Sequence, residues 1–307
     1  MGNIHLHHVD HSGANRYYYL LVLKHIKENP SYGVTVTTSN LSDFIREGVP
    51  AGTDVLSYQT FPDENNSKKY NPKVIEQSDR RFHAFKGQKI LVDTHDCGDE
   101  DAFSRMASSH ILPKVKSYPT KFFLKGNNVI LVSAPSTKEG VLPDEFKRTI
   151  NVSCKFGRKG DWFYGHPIRA IVTRYLEESF SDVTNFDWVN SKDEYYQELR
   201  RTRIVVGAPG WGRYNGSYWG ALKAGALLFA HRSLNEIQMF PHARLVDGHD
   251  YVSYDLFDFK TKLYRVLHLD EKEFDRIRNN GREKFKQGLN YEKSADQLTK
   301  FLKGEKT

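Results

Sequence analysis

Cysteine is scarce in this sequence. Only two of the 307 residues are cysteines, Cys97 and Cys154, and neither lies in a CxxC pair or in a Cys/His pattern with the spacing of a zinc site. The scarcity excludes a fold held together by disulfides and argues against a structural zinc centre. A reducing compartment suits such a chain best, so we expect a cytoplasmic protein.

Long apolar segments are also lacking. No run of apolar residues approaches the ~18 residues that a membrane-spanning helix needs, so we expect no transmembrane segment. The N-terminal stretch has no basic start followed by an apolar core, which argues against a signal peptide. With 38% hydrophobic residues the chain can still bury sizeable cores, and a length of 307 residues favours two domains.

The excess of positive charge is moderate. The formal net charge is +7, and the basic residues are interspersed with acidic ones. Such a balance allows binding of nucleic acid, anionic lipid or a phosphorylated ligand, and by itself it selects none of them. The mixed charges of the C-terminal region are typical of a solvated helical surface.

Short apolar strands alternate with amphipathic helical segments in both halves of the chain. The strand patterns lie at residues 3–9, 33–39, 53–61, 88–95, 128–135, 149–156, 204–207 and 226–232. This alternation predicts an α/β protein of two doubly wound, Rossmann-like domains that face each other across a cleft. We expect the domains to span residues 1–140 and 141–307, with C-terminal helices that can pack back on the first.

A Gly-rich turn, a short helix and an apolar strand follow one another in residues 209–230, PGWGRYNGSYWGALKAGALLFA. A helix that starts from such a turn offers free backbone N–H groups and the positive end of its dipole to a phosphate. An aromatic ring there can stack on a base or a sugar. The residues expected to bind are Arg213, Asn215, Gly216, Ser217 and Tyr218. A plain N-cap by Asn215 or Ser217, without a ligand, is the alternative.

A second basic turn follows the strand at 149–156. Its residues 157–160 read Gly-Arg-Lys-Gly, which places Arg158 and Lys159 between a strand and a helix. Two cations at that point are suited to face the same phosphorylated ligand across the end of the sheet. A solvated surface loop is the alternative.

Histidines and aspartates cluster after two strands of the N-terminal half. His7, His8, Asp10 and His11 lie at the end of the first strand pattern, and Asp93, His95 and Asp96 lie at the end of another. Carboxyl ends of parallel strands meet at one edge of a sheet, so both groups are expected at a binding face. Ordinary strand histidines are the favoured interpretation of His7 and His8, and a metal site is compatible with the ligand types but not favoured.

The C-terminal half resembles GT-B glycosyltransferases, especially exostosin-like and related family-one-type enzymes. The resemblance rests on the Ala224–Gly225 step into an apolar strand, the segment Val-Asp-Gly-His-Asp-Tyr-Val at 246–252, and the strand at 150–157. It covers roughly residues 145–300. It implies that a nucleotide sugar, with a UDP-sugar favoured, binds mainly to the C-terminal domain. The acceptor, a hydroxyl of a glycan or glycoprotein, would then bind mainly to the N-terminal domain.

One departure from that family changes the expected mechanism. Retaining members place two glutamates around the donor, and the corresponding positions here are Gly212 and Gly220. We therefore expect inversion, which requires a base for the acceptor hydroxyl. The first choice is Asp96, and Asp10 or His11 comes next. We expect no cofactor and no metal, because helix dipoles and cations usually stabilise the leaving diphosphate in this fold.

A second class of function remains open at this point. A non-catalytic carbohydrate- or nucleic-acid-binding protein with a degenerate GT-B shell also agrees with the net charge of +7 and with the absent glutamates. We favour the enzyme and expect no nucleic-acid partner.

Overall fold

The first of the two units into which the chain divides contains a six-stranded sheet. The computed structural model describes residues 3–10, 18–59, 72–93, 123–125, 129–133, 142, 147–156, 167–187, 189, 191–209, 216–236 and 244–305. The strands of the first unit are β1 (Ile4–Asp10), β2 (Val34–Asn40), β3 (Val55–Gln59), β4 (Gln88–Asp93), β5 (Phe123–Lys125) and β6 (Val129–Ser133). Their order is β2-β1-β3-β4-β6-β5, and only the β5–β6 pair is antiparallel.

Helices α1 (Tyr18–Glu28), α2 (Leu41–Glu47) and α3 (Pro72–Ala84) connect these strands. The burial pattern of α1 explains why this segment forms a helix that packs on the sheet. Tyr19, Val22, Leu23 and Ile26 are buried, and their spacing places them on one face of the helix. The Tyr19 hydroxyl also hydrogen-bonds to Oγ of Ser57 on β3 at 2.9 Å. Helix α1 is thereby fixed against the sheet.

The second unit is built on five parallel strands. They are β7 (Ile150–Ser153), β8 (Thr184–Asn185), β9 (Thr202–Gly207), β10 (Leu227–His231) and β11 (Val252–Tyr254). Their order is β11-β10-β9-β7-β8. The helices are α4 (Pro167–Ser179), α5 (Lys192–Arg201), α6 (Gly216–Ala224), α7 (Phe259–Leu267) and α8 (Glu271–Gly288).

Successive residues of β9 enter two different cores. Ile204 and Val206 pack with side chains of α4 and α7, whereas Val205 packs with side chains of α5 and α6. Side chains of a strand alternate between the two faces of its sheet, so a strand covered by helices on both sides must be apolar throughout. This explains the continuous Ile-Val-Val run of the sequence.

Helix α6 is buried from Ser217 to Ala224. It ends in a Schellman motif, in which the N–H of Gly225 bonds to the oxygen of Leu222 and the N–H of Ala226 to that of Ala221. Gly225 has a positive φ of 67°, a conformation that glycine adopts without strain. The Ala-Gly step noted in the sequence is therefore the C-terminal cap of this helix.

Arginines add to the C-terminal end of α6. Arg148 donates from Nη2 to the carbonyl oxygen of Ala224 at 3.1 Å, and Arg278 donates from Nη1 to that of Gly225 at 3.2 Å. Cations at this end complement the negative pole of the helix dipole. The positive pole of the helix dipole lies at the other end of α6, at Gly216, and points to the opposite edge of the sheet.

The last helix, α9 (Tyr291–Leu302), belongs to the first unit and packs against α1. The side chain of Asn290 caps it by accepting a hydrogen bond from the N–H of Lys293 at 2.9 Å. Ala295, Leu298 and Leu302 are buried at helical spacing. Across the described residues, no helix combines the length and the apolar character that a membrane span requires.

Candidate functional site

The second sheet changes direction at β7. From this strand the chain first builds β8 on one side and then returns to build β9 on the other. In doubly wound sheets, ligands bind beyond the carboxyl ends of the two strands that flank such a switch point. Helices α4 and α6 each follow one of these strands, so both N-termini point to the same edge. We call this place the β7/β9 edge.

Tyr218 fixes the start of α6 beside the end of β9. A Cβ added to Gly207, the last residue of β9, would lie 2.4 Å from Cε1 of Tyr218, so the ring occupies the space of a missing side chain. Tyr218 is only 1% exposed, and its hydroxyl has no hydrogen-bond partner in the part of the chain that the structure describes. Native structures rarely leave a buried polar atom unsatisfied, so this hydroxyl needs an explanation.

A second buried tyrosine holds the same strand end. The Tyr254 hydroxyl, on β11, donates to the carbonyl oxygen of Gly207 at 2.9 Å. The ring packs against Phe229 and Phe259, with centroids 4.8 Å away in both cases. Burial raises the pKa of Tyr254 well above its usual value, so the hydroxyl stays protonated and continues to donate.

Arg169 is a functional candidate that the sequence analysis missed. It lies in the first turn of α4 and is only 7% exposed. Its Nη1 donates to the carbonyl oxygen of Phe156 at 3.4 Å, and its guanidinium carbon is 5.7 Å from the centre of the Phe156 ring. In the sequence it resembles any surface arginine of a helix, and only its burial at the β7/β9 edge sets it apart.

The charge of Arg169 reaches three groups at this edge. Burial raises the pKa of Tyr218, of Tyr254 and of Cys154, the last to about 12. The positive charge of Arg169 opposes that rise in all three. The contacts with Phe156 place the guanidinium just beyond the end of β7, and the Cys154 thiol stays protonated at neutral pH.

A buried ion pair stabilises the chain just after β7. Lys155 Nζ lies 3.1 Å from Oε1 of Glu198 on α5, and the side chains are 6% and 10% exposed. Ser153 donates its hydroxyl to the same oxygen at 2.8 Å, and Lys155 also donates to the carbonyl oxygen of Asp187. These bonds tie the chain at the end of β7 to α5, just before residue 157, where the sequence predicts a basic turn.

His231 ends β10 at the same side of the sheet. Its Nδ1 accepts a hydrogen bond from the backbone N–H of Ser233 at 3.2 Å and lies 3.0 Å from the Ser233 hydroxyl. In the neutral ring the proton must therefore be on Nε2.

The structure brings together three of the residues predicted to bind phosphate, Gly216, Ser217 and Tyr218, in the first turn of α6. Ser217 lies inside the helix and is therefore not its N-cap, whereas the alternative of an N-cap by Asn215 stays untested. The other predicted residues of the C-terminal half lie outside the described residues: Arg158, Lys159, Arg213 and Asn215.

The candidate bases belong to the first unit or are not described. Asp10 is the last residue of β1, paired in register with Asn40, and His11 and Asp96 lie outside the described residues. The nearby histidines bond to hydroxyl groups: His7 to Thr37 and Ser39, both at 2.9 Å, and His8 to Ser57 at 3.0 Å. Among the described residues, no group of three or more His, Cys, Asp and Glu side chains is placed to hold a metal.

Gly220, at a position where retaining enzymes were expected to have a glutamate, packs closely against α5. A Cβ there would lie 2.7 Å from Cδ1 of Leu199 and 3.0 Å from the Tyr195 hydroxyl, both on α5. The close packing of α6 on α5 therefore depends on glycine. Gly212 lies outside the described residues.

No protein-family model matches the chain, and no curated protein sequence matches it. Several solved structures, in contrast, match the chain. An alpha-glucosyltransferase in complex with UDP-glucose and DNA containing an abasic site has a TM-score of 0.54 and 10% identity, over 97% of this chain and 100% of the other. Sucrose-phosphate synthase from Thermosynechococcus elongatus has a TM-score of 0.54 and 11% identity, over 98% of each chain. The chain has the GT-B fold.

The chain spans about three fifths of the length of some other solved structures that it matches. A variant of S. aureus TarM, in complex with UDP and saccharide ligands, has a TM-score of 0.47 and 9% identity over 92% of this chain. The present chain covers only 58% of the length of that protein. Identities of 9–11% show the fold alone, and the exostosin-like subtype stays a prediction.

Proposed function

We propose that this protein is a glycosyltransferase that takes a sugar from a nucleoside diphosphate sugar, with a UDP-sugar favoured, and transfers it to a hydroxyl of a glycan or glycoprotein. The observation that carries the proposal is the convergence of two helix N-termini, α4 and α6, at the switch point of the second sheet. Both dipoles and the backbone amides of the first helical turns favour an anion at that place. The GT-B fold supports the same assignment.

The donor diphosphate binds at the start of α6 in this proposal. The amides of Gly216, Ser217 and Tyr218 lie in its first turn, and Arg213 and Asn215 directly precede it in the sequence. Arg158 and Lys159 follow β7 and supply further cations. Charge-assisted hydrogen bonds from these groups stabilise the negative charge that develops on the leaving nucleotide. The reaction then needs no metal and no cofactor.

We further propose that transfer proceeds with inversion. The support is glycine in place of the glutamate of the retaining pattern at position 220, where a Cβ would already crowd Leu199 on α5. Inversion requires a base that accepts the proton of the acceptor hydroxyl as its oxygen attacks the anomeric carbon. Asp96 is the first candidate, followed by Asp10 and His11. The C–O bond to the diphosphate breaks as the new glycosidic bond forms, and the nucleoside diphosphate departs.

Ligand-dependent stability tests the donor site. UDP or a UDP-sugar should raise the thermal midpoint, because a ligand at a hundredfold excess over its Kd stabilises the folded state by about 2.7 kcal/mol. Products of a nucleotide-sugar screen, followed by NMR of the anomeric proton, then identify the donor and reveal whether the configuration inverts.

Three results would contradict parts of the proposal. Retention of configuration at the anomeric carbon would contradict the inverting mechanism. Binding of the nucleotide without hydrolysis or transfer across the screen would favour a non-catalytic binding protein. A midpoint that responds only to oligonucleotides, and less at high salt, would favour a nucleic-acid binder.

A further inference from the structure

His7 lies in the middle of a continuous row of hydrogen bonds between β1 and β2. Its Nδ1 is 2.9 Å from the Thr37 hydroxyl, and its Nε2 is 2.9 Å from the Ser39 hydroxyl. The Thr37 hydroxyl is also 3.0 Å from Nε2 of His5. Four side chains are thus joined in the order His5, Thr37, His7 and Ser39, and we call them the β1/β2 network.

The β1/β2 network runs along the strands toward their carboxyl ends. The two strands are parallel, and their last residues, Asp10 and Asn40, pair in register. Ser39 is one residue from the end of β2, whereas His5 lies at the second position of β1. The network therefore covers four residues of strand, about 13 Å, and ends beside the edge to which Asp10 belongs.

The hydroxyl of Thr37 couples the directions of all these hydrogen bonds, because it can donate only one of its two. If it donates to Nδ1 of His7, then His5 donates to Thr37, and His7 carries its proton on Nε2 and donates to Ser39. If it donates to His5, every bond reverses, so that Ser39 donates to Nε2 of His7. With neutral imidazoles, these are the two arrangements that keep all three bonds.

Burial gives His7 the protonation state that such a network needs. The residue is 3% exposed. Burial lowers the pKa of His7 below its usual value, and the charge of His5 lowers it further, so the ring is neutral at pH 7. A neutral imidazole can accept a proton on one nitrogen and release a proton from the other.

We propose that the β1/β2 network carries away the proton that the base takes from the acceptor hydroxyl. The inference rests on the proposed function and favours two of its three candidate bases. Asp10 ends β1 and His11 follows it in the sequence, whereas Asp96 comes after β4, which is two strands away from β1 in the sheet. In this proposal His7 contacts neither substrate and acts only through the base.

Each step of the transfer exchanges one bond to hydrogen for another. When a proton reaches the Ser39 oxygen, the original hydroxyl proton passes to Nε2 of His7. The proton on Nδ1 of His7 passes to the Thr37 oxygen, and the Thr37 proton passes to Nε2 of His5. His5 then releases the proton on its Nδ1 to water. One proton enters at Ser39 and one leaves at His5, so the network keeps its charge.

Substitutions of Thr37 interrupt the network without removing a titratable group. Thr37→Val keeps the shape of the side chain and lacks the hydroxyl, whereas Thr37→Ser keeps the hydroxyl. Thr35→Val is the matched control, because Thr35 is an exposed residue of the same strand that accepts a hydrogen bond from Asn3. Thermal unfolding measures the stability of each variant.

Hydrolysis of UDP-glucose and of UDP-N-acetylglucosamine, with water as the acceptor, measures turnover. Thr37→Val should lower kcat about tenfold, which is less than the effect of losing the base itself, and should leave KM for the nucleotide sugar unchanged. The solvent deuterium isotope effect on kcat should increase, because removal of the proton becomes slower. Thr37→Ser should recover most of the rate, and Thr35→Val should match the wild type.

Nitrogen NMR of the free protein tests the network without a substrate. The His7 signals are assigned by their loss in His7→Gln. Exchange between the two arrangements should place the shifts of Nδ1 and Nε2 between those of the two pure tautomers. A single fixed tautomer of His7 would overturn the inference, since the network would then have only one direction.

The kinetic results separate the inference from simpler explanations. Equal turnover of Thr37→Val and wild type would overturn it, and so would loss of turnover in Asp96→Asn with none in Asp10→Asn or His11→Ala. If Thr37→Val raises KM, lowers stability and is not rescued by Thr37→Ser, the network is structural. If wild type binds no UDP and hydrolyses neither nucleotide sugar, the proposed function fails and the inference fails with it. If it binds UDP without hydrolysis, the tautomers of His7 alone decide.

Discussion

The ring of Tyr218 fills the place of a side chain at Gly207. With a Cβ on Gly207, the distance to Cε1 of Tyr218 would be 2.4 Å, shorter than any normal contact. The glycine at the end of β9 therefore allows the first turn of α6 to lie against the strand. The position of the helix N-terminus relative to the β7/β9 edge depends on this one missing methyl group.

Gly207→Ala should shift α6 and lower the free energy of unfolding by about 1–3 kcal/mol, the usual cost of overpacking a core. UDP binding should weaken as well, because the helix N-terminus moves. Urea denaturation and UDP titration measure both effects. Gly216→Ala is the stability control, since a Cβ there meets nothing within 4 Å. Equal stability of the two variants would show that the Tyr218 ring moves away from the added methyl group at little cost in free energy.

Glu198→Gln should destabilise the second unit by about 3 kcal/mol, because Lys155 then keeps a buried charge with its carboxylate removed. Adding Lys155→Met to this variant should restore part of the loss. Denaturant unfolding of the two single variants and the double variant measures the coupling. Additive losses in the double variant would mean that the ion pair contributes no interaction of its own.

Arg213→Ala should weaken binding of UDP and GDP about ten- to hundredfold and leave the fold intact. The physical reason is the loss of a charge-assisted hydrogen bond to the diphosphate. Titration of the purified variant measures the loss, and Arg174→Ala serves as a matched arginine-to-alanine control. An unchanged affinity for UDP and GDP would show that Arg213 does not bind the diphosphate.

Asp96→Asn should keep donor binding but lower turnover about a hundred- to ten-thousandfold, the range of a general base. An amide accepts no proton from the acceptor hydroxyl, although its size is that of the carboxylic acid. Initial rates and UDP affinity are measured on the same preparation. If the variant transfers sugar at the wild-type rate, Asp10→Asn and His11→Ala are the next tests.

EDTA should leave the transfer rate unchanged. Cations of the chain and two helix N-termini neutralise the leaving diphosphate in the proposed mechanism, so no divalent ion is required. Rates are compared before and after exhaustive chelation, with added magnesium or manganese in parallel. Complete loss of activity that manganese restores would make the Asp99-Glu100-Asp101 stretch a candidate metal ligand.

Local patterns in the sequence were sufficient to predict several elements of the fold. The run at 204–207 is apolar on both faces and lies within β9, and the periodic residues after position 17 form α1. The Ala-Gly step ends α6 in a Schellman motif. In each case the signal lies within a few neighbouring residues, where backbone preference and burial act together.

Only the tertiary structure determines which side chains lie at the β7/β9 edge. Arg169 and Tyr218 are far apart in the sequence, and the sheet order brings their helices to the same edge. Nothing in the local pattern of α4 distinguishes a buried Arg169 from the exposed Arg174, five residues later in the same helix. The sequence by itself determined the alternation of strands and helices, because periodicity is local. Which side chains meet at the site depended on long-range strand pairing, which no local pattern encodes.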